Sequence, residues 1–241
     1  MTSELSREFL ARAHRYGALL LDGEYALSSG VVSPVYFNGK KLIEGGSGLV
    51  WCEEFLFRFL KDSGIVAGQD GGLDFNAIFG PAYGAISYSL LLSRKLYKKY
   101  GRDVQWFFDR KERKVHGEEG EYVGTAPRKG MRVLVVEDAV TSGRTLRVRI
   151  QEIVRFGVEI SGVLVLFDRQ EFEFLQSACV SEDLEDYLGV PVISVATMTD
   201  LMEFLGELGQ DERLERILKY REFRRREYER SLEIEYPREK G

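Results

Sequence analysis

Cysteine and histidine are scarce in this chain of 241 residues, and their scarcity excludes several kinds of chemistry. The two cysteines, Cys52 and Cys179, form no C-x-x-C pair and have no histidine beside them. A disulfide framework and a zinc site are therefore not indicated. The two histidines, His14 and His116, exclude catalytic schemes that need several imidazoles, and we expect His14 to be a surface or packing residue.

Long apolar runs and an excess of positive charge are also lacking. No stretch reaches the length of a membrane-spanning helix, and no secretory leader is recognisable, so we expect a cytoplasmic, reducing location and no membrane partner. The net charge of −5 gives no general reason to expect nucleic acid as a partner. A hydrophobic content of 44% over this length is enough for one large α/β domain or two small ones.

The most informative stretch of the sequence is VLVVEDAVTSGRTLR, residues 133–147. Val133–Val136 are apolar and β-branched enough for a buried strand, and two carboxylates, Glu137 and Asp138, follow it. Thr141–Thr145 then supply hydroxyls and a glycine where a helix should begin. Amides at a helix N-terminus bind phosphate, and carboxylates accept hydrogen bonds from sugar hydroxyls or reach a metal through water. The simpler alternative is a strand–turn–helix with Thr141 as the N-cap.

A second strand-to-helix turn, Gly80–Gly84, follows an expected short strand at Phe75–Phe79 and precedes an apolar helix at Ala85–Leu96. In a parallel sheet this turn would face the same pocket, and its amides could hold a diphosphate. The alternative is that its glycines only allow close packing of helix on sheet.

Aromatic and β-branched residues around Gly30 and Pro34 predict two short strands or a hairpin between Tyr25 and Asn38. Because Tyr36 and Phe37 are adjacent, they should point to opposite sides of an extended chain, and only one of them need belong to the core.

The segment Asp109–Glu121 is strongly charged and lacks core periodicity, which predicts a long exposed loop. Four cations and His116 precede its glycines. A solvated surface is the ordinary explanation of such a run, and a mobile clamp over an anionic ligand is the functional one.

The alternation of strands and helices predicts a mostly parallel twisted sheet with helices on both faces. We expect further strands at Val158–Phe167 and Val190–Val195, and helices at Glu182–Tyr187 and Met198–Leu208. Asp211–Lys240 is polar, with alternating charges that predict a salt-bridged helical extension.

Four motifs together resemble the orotate phosphoribosyltransferases of the type I phosphoribosyltransferase family. They are FGPAYG, RKERKVHGEEGEYVG, VLVVEDAVTSGRTL and LFDRQE, in the order and at about the spacing of that family. The resemblance extends from about Ser3 to Tyr220. It implies a single type I phosphoribosyltransferase domain over residues 1–220, with an N-terminal hood at about 1–40 and a flexible loop at about 110–121. Residues 221–241 would form a charged helical C-terminal extension.

The resemblance also implies a reaction, in which orotate and 5-phosphoribosyl 1-diphosphate give orotidine 5′-phosphate and pyrophosphate. Mg²⁺ would be carried by the diphosphate and water, without a direct protein ligand. A homodimer is implied, in which the loop of one subunit closes over the site of the other.

Site residues follow from the same resemblance. The catalytic residues would be Lys114, Glu137 and Asp138, of which the two carboxylates hold the ribose hydroxyls. The 5′-phosphate would be wrapped by Ala139, Val140, Thr141, Ser142, Gly143, Arg144 and Thr145. The diphosphate would meet Tyr83, Gly84, Arg110, Lys111, Lys114 and His116. Orotate would be held by Tyr36, Phe37, Thr141 and Arg169, since a guanidinium suits a carboxylate.

The sequence departs from the family pattern where it lacks cations. Ser28 and Gly84 stand where one branch of the family has lysines, and Val31-Val32 replace Arg-Lys. Weaker binding of the diphosphate would follow. Two alternatives stay open: a phosphoribosyltransferase for another base, against which Arg169 argues, and an idle regulator that senses the donor and binds nucleic acid through Arg224–Arg226.

Overall fold

A six-stranded sheet with helices on both faces organises this computed structural model, which describes residues 3–27, 30–67, 72–114, 120–171 and 180–235. The helices are α1 Glu4–Arg15, α2 Gly46–Asp62, α3 Ile86–Tyr100, α4 Arg144–Val154, α5 Val180–Leu188, α6 Met198–Glu207 and α7 Asp211–Glu235, with a 3₁₀ helix at Gly39–Ile43. The strands are β1 Leu19–Leu20, β2 Tyr25–Ala26, β3 Val32–Ser33, β4 Tyr36–Phe37, β5 Val66–Ala67, β6 Gly72–Leu73, β7 Ala77–Phe79, β8 Gln105–Lys114, β9 Gly120–Gly124, β10 Arg132–Val140, β11 Glu159–Asp168 and β12 Val192–Thr197.

The main sheet has the strand order β12-β11-β10-β7-β8-β9, and all neighbouring strands are parallel except β8 and β9. Strand β10 shows why helices cover both faces. Its Leu134 and Val136 belong to one buried cluster with α1, α2, α3 and α6, whereas Val133 and Val135 belong to another with α4 and α5. Successive side chains of a strand point to opposite faces, so a continuous apolar run is buried on both. The predicted α/β architecture is confirmed.

The central strand is longer than expected. The sequence suggested that it ends before Glu137, but β10 continues to Val140, which pairs with Asp168 of β11. The acidic pair therefore lies within a hydrogen-bonded strand end, which gives both carboxylates a rigid backbone.

The segment expected to be one exposed loop, 109–121, is instead partly extended. Strand β8 runs on to Lys114, and β9 begins at Gly120 and pairs with it antiparallel, Asp109 opposite Tyr122. A strand pair at a sheet edge needs backbone hydrogen bonds and no core periodicity, so charged composition did not exclude it. Residues 115–119, including His116, lie outside the described residues.

Helix α7 is continuous through residues 220 and 221, so the expected boundary at residue 220 coincides with no break in the chain. Its first turns contact the N-terminal region: Arg213 forms an ion pair with Asp22, and Arg216 donates to the carbonyl oxygens of Leu21 and Gly23. Among the described residues, no helix combines the length and the apolar character needed to cross a membrane.

Candidate active site

A cavity of about 690 Å³ lies at the carboxyl ends of β7 and β10 and is closed on one side by β4. This is the edge at which open α/β sheets bind ligands. Most of the residues singled out in the sequence line it: Tyr36, Phe37, Tyr83, Gly84, Lys111, Glu137, Asp138, Ala139, Val140, Thr141, Ser142, Gly143 and Thr145. The fold therefore brings the two glycine turns, the acidic pair and the aromatic pair together.

The turn after β10 exposes the beginning of a helix to this cavity. Gly143 has a φ of 69°, a left-handed conformation that favours glycine, and α4 begins at the next residue, Arg144. The expected alternative of Thr141 as N-cap is wrong, because Gly143 holds that position without a side-chain hydrogen bond. First-turn amides have no acceptor within their own helix, so this turn suits an anion.

The acidic pair has no ion-pair partner among the described residues. Glu137 accepts a hydrogen bond from the Asp138 amide at 3.1 Å, and Asp138 accepts one from the Ala139 amide at 3.0 Å. Burial, and then the neighbouring Asp138 carboxylate, raise the pKa of Glu137 well above its usual value. Hydrogen-bond donors or a positive charge arriving from the cavity would favour the ionised form of Glu137.

The turn before α3 touches the acidic pair directly. A Cβ atom at Gly84 would lie 2.3 Å from Oδ2 of Asp138, so no other residue fits there without movement of the backbone or the carboxylate. The absence of a lysine at this position thus has a physical reason. The neighbouring Tyr83 is 58% exposed, and Nζ of Lys111 lies 4.7 Å from its ring centroid.

The aromatic pair divides as expected between core and cavity. Phe37 is buried and stacks on Phe167, with ring centroids 5.3 Å apart, whereas Tyr36 is 37% exposed. Both line the cavity, but only Tyr36 has an exposed ring surface on which a flat ligand could stack.

The structure does not bring Arg169 to this cavity. Its side chain is 3% exposed, and its guanidinium donates to Oγ of Ser33 at 2.8 Å and forms an ion pair with Glu171 at 3.0 Å. The reason is that Ser33, on the N-terminal hairpin, and Tyr220, on α7, cover the end of β11, and Tyr220 donates to the other Glu171 oxygen at 2.6 Å. Sequence reasoning placed Arg169 correctly at a strand end but missed these partners.

Among the other predicted cations that the structure describes, Lys111 lines the main cavity, whereas Arg110 and Arg144 lie apart from it. Arg110 lines a neighbouring cavity of about 490 Å³, and Lys111 lines both. Arg144 is exposed at the start of α4 and does not line the main cavity. The side chain of Lys114 and the whole of His116 belong to the part of the chain that is not described.

Three polar residues of the cavity were missed in the sequence: Asn38, Lys40 and Arg149. Asn38 and Lys40 directly follow the aromatic pair in YFNGK, so proximity in sequence was an available signal. For Arg149 the sequence contained no such signal, because the residue lies beyond the Thr141–Thr145 turn and only the direction of α4 brings it to the cavity.

Comparisons with known proteins agree with this geometry. The model of the phosphoribosyl transferase domain family matches residues 67–193. The chain is 38% identical to an orotate phosphoribosyltransferase of Thioalkalivibrio sulfidiphilus over 215 residues, which are 89% of this chain and 95% of that protein. It is 36% identical to the Pseudomonas aeruginosa orotate phosphoribosyltransferase over 201 residues, 83% of this chain and 88% of the other. The crystal structure of the Francisella tularensis orotate phosphoribosyltransferase matches with a TM-score of 0.70 at 25% identity, covering 89% of this chain and 98% of that one.

A mostly parallel sheet covered on both faces, with a glycine turn and an acidic pair at its carboxyl edge, fits a type I phosphoribosyltransferase, and the matched domain family shows that the chain is one. The two relatives and the crystal structure are all orotate phosphoribosyltransferases, which identifies the branch of this class. The chain belongs to the orotate phosphoribosyltransferases, the enzymes that join orotate to a 5-phosphoribosyl group in pyrimidine biosynthesis.

Proposed function

We propose that the cavity holds 5-phosphoribosyl 1-diphosphate with its 5′-phosphate on the turn Thr141–Thr145 and its ribose hydroxyls on Glu137 and Asp138. One observation supports this most: a single strand end presents the acidic pair, and the turn that follows presents helix amides, on the same cavity wall. Hydroxyls donate to carboxylates, and a phosphate suits a helix N-terminus.

The diphosphate lies along Tyr83 and Gly84 in this proposal. The support is the contact between the Gly84 position and Asp138, which sets this turn beside the ribose subsite. Lys111 adds positive charge at the same wall. Arg110, Lys114 and His116 complete the charge from the loop, as the family resemblance implies.

Orotate lies against Tyr36 and Thr141, close to the anomeric carbon of the donor. Two cations compete for its carboxylate. Arg169 suits it chemically but must give up Ser33 or Glu171, whereas Lys40 already lines the cavity. Lys40→Ala and the double variant Arg169→Met/Glu171→Gln, which leaves no unpaired charge buried, separate them, because loss of the true partner raises the KM for orotate more than the KM for the donor.

Catalysis in this proposal depends on charge that develops as the bond from the anomeric carbon to diphosphate breaks and the bond to N1 of orotate forms. The ribose ring gains positive charge, and Glu137 and Asp138 stabilise it. This interaction strengthens toward the transition state, because the positive charge on the ribose develops only as the bond to diphosphate breaks. Lys114 stabilises the departing diphosphate.

Mg²⁺ fits this arrangement as an ion carried by the diphosphate. Glu137 and Asp138 offer hard oxygen atoms that would reach the ion through water. Among the described residues, no three His, Cys, Asp or Glu side chains are grouped closely enough to hold a metal by themselves. When bound, the ion supplies neutralisation of the diphosphate charge.

We also propose a homodimer in which the loop of one subunit acts on the site of the other. Lys114→Ala and Glu137→Gln chains are tested separately and after joint refolding, with the dimer verified by mass. If the loop acts in trans, the mixture recovers about a quarter of wild-type turnover, because half of the random dimers are mixed and one of their two sites is intact. No recovery would show that each loop serves its own subunit.

A cytoplasmic location belongs to the same proposal. The described Cys52 thiol is buried and free, which is ordinary in a reducing compartment. Fractionation of cells that produce the protein tests the location, and recovery with a secreted marker would overturn it.

The loss of orotate absorbance in the presence of donor and Mg²⁺ tests the substrate assignment. We expect steady consumption of orotate and none of uracil, adenine or guanine at equal concentration. The regulator alternative is weakened by α7, where Arg224, Arg225 and Arg226 form ion pairs with Glu222, Glu227 and Glu229 and present little net positive charge. A nucleic-acid surface should be predominantly positive.

A further inference from the structure

Arg149 is a cation of the cavity wall that the family pattern did not suggest. It lies on α4, and its half-buried side chain lines both the donor cavity and the neighbouring one. Its Nη1 atom is 3.1 Å from Oδ2 of Asp109 and 3.1 Å from Oε2 of Glu152. Arg149 therefore connects α4, the helix that follows the Thr141–Thr145 turn, to β8.

Asp109, the buried partner in this ion pair, holds the diphosphate turn. Its Oδ1 accepts a hydrogen bond from the Ala82 amide at 2.8 Å, immediately before Tyr83 and Gly84. Its Oδ2 has no hydrogen bond within the described residues, although Arg149 lies at ion-pair distance. The Arg149–Asp109 interaction is thus mainly one of charge.

The sign of that charge matters because the cavity receives a polyanion. A buried, unneutralised Asp109 carboxylate behind the diphosphate turn would repel the donor, since charges in a low-dielectric setting interact strongly. Of the described residues that line the cavity, Lys40, Lys111 and Arg149 are the cationic ones. With the Asp138 carboxylate in its present position a lysine does not fit at Gly84, so Arg149 supplies positive charge that this turn does not carry itself.

We propose that Arg149 is a positioning residue for the diphosphate of the donor. It neutralises Asp109, so that this carboxylate can fix the Ala82–Gly84 turn without repelling the ligand, and it adds a cation to the wall. The inference rests on the proposed donor site and goes beyond it, because it assigns a role to a charge pair outside the family motifs.

Arg149→Gln tests the proposal through steady-state kinetics with both substrates. We expect the KM for 5-phosphoribosyl 1-diphosphate to rise at least about tenfold, as for truncation of one partner of a buried charge pair, with the KM for orotate within about twofold of wild type. The double variant Asp109→Asn/Arg149→Gln should recover most of the loss, because its buried negative charge is gone while the Asn oxygen still accepts from Ala82. Arg149→Lys should stay within about threefold of wild type, since it keeps the charge.

Glu152→Gln is the matched control, because Glu152 contacts the same Nη1 atom but lies away from the donor cavity. It should leave both KM values unchanged. An unchanged donor KM in Arg149→Gln, or a double variant as impaired as the single one, overturns the proposal. If Arg149→Gln does not fold, Asp109→Asn decides: donor affinity at or above the wild-type level supports the proposal, and a tenfold loss contradicts it.

Calorimetric titration of the donor with Mg²⁺, without orotate, separates this inference from the substrate assignment. Wild-type protein that binds the donor but does not consume orotate would refute the assignment alone. Equal donor affinity of wild type and Arg149→Gln would refute the inference alone.

Discussion

Two charged pairs end neighbouring strands of the sheet, and they are built in opposite ways. Glu137 and Asp138, near the end of β10, have the same charge and face an open cavity. Arg169 and Glu171, just after β11, have opposite charges and are closed off from solvent. The backbone joins the two regions directly, because the Arg169 amide donates to the carbonyl oxygen of Val140 at 3.2 Å.

The two pairs differ in their hydrogen-bond and ion-pair partners. The buried pair is completed by the protein itself: Ser33 accepts from Arg169, and Tyr220 donates to Glu171. These contacts tie the N-terminal hairpin and α7 to the sheet. The acidic pair has no such cationic partner in the described structure, and burial beside Asp138 raises the pKa of Glu137. The protein itself satisfies the buried pair, and in our proposal the ligand satisfies the acidic pair.

The largest effect should come from opening the buried pair. Arg169→Met leaves Glu171 buried without its counter-charge, and we expect a loss of about 3–5 kcal/mol in the free energy of unfolding, measured by urea denaturation. Adding Glu171→Gln to this variant should recover part of the loss, because the unpaired charge is removed. A loss below about 1 kcal/mol would remove the pair from this structural role.

Glu137→Gln should separate function from stability at the open pair. We expect turnover to fall by on the order of 100-fold, as for one lost electrostatic stabiliser. Unfolding of the ligand-free protein should become harder at neutral pH. Because the folded-state pKa of Glu137 is raised, the wild type loses stability as pH rises above the usual carboxyl pKa of 4.5, and the Gln variant does not.

Thermal melts from pH 4 to pH 8 measure this difference. The advantage of the Gln variant should vanish near the acid end, where the carboxyl is protonated in both the folded and the unfolded state. If the stability advantage of the Gln variant grows toward low pH instead, the pKa of Glu137 is not raised in the folded protein.

A smaller effect is expected at Gly84, where the turn Gly80–Gly84 meets Asp138. Gly84→Ala places a Cβ atom against the carboxylate, and we expect the donor KM to rise by about tenfold, equivalent to about 1.4 kcal/mol. Gly45→Ala is the matched control, since a Cβ there meets nothing within 4 Å. Similar kinetics of the two variants would mean that Asp138 moves freely and that the contact has no role.

The smallest effect is expected at Tyr220, which donates a hydrogen bond to Glu171 of the buried pair. Tyr220→Phe removes the hydrogen bond to Glu171 and keeps the ring, so we expect a loss of about 0.5–1.5 kcal/mol in the free energy of unfolding with turnover nearly unchanged. A large loss of turnover with normal stability would show instead that α7 acts on the chemistry.

Sequence patterns predicted the structure well where neighbouring residues in the chain determine it. The apolar run of β10 and the Thr141–Thr145 turn follow from burial and from glycine at a helix start. Helix α1 obeys the same kind of rule, since a serine precedes it and the Ser6 amide donates to Oγ of Ser3 at 3.0 Å. The β8–β9 pair was missed because edge strands carry charged residues as readily as loops do.

Long-range partners could not be inferred in the same way. Arg169 stands at a strand end suited to a ligand, yet its hydrogen-bond partner Ser33 is 136 positions away in the sequence. Arg149 and Asp109 are equally invisible as a pair until α4 packs beside β8. Contacts of this kind depend on which side chains the folded chain brings within a few ångströms of one another.

By itself, the sequence determined the class of fold and the composition of the proposed sugar-phosphate site, because a strand, its acidic end and the following glycine turn are contiguous. Only the tertiary structure decided which charges are available to a ligand. It closed Arg169 into an internal pair and brought Arg149 and Lys40 to the cavity. The physical reason is that a charge is felt over a few ångströms of space, whatever its distance along the chain.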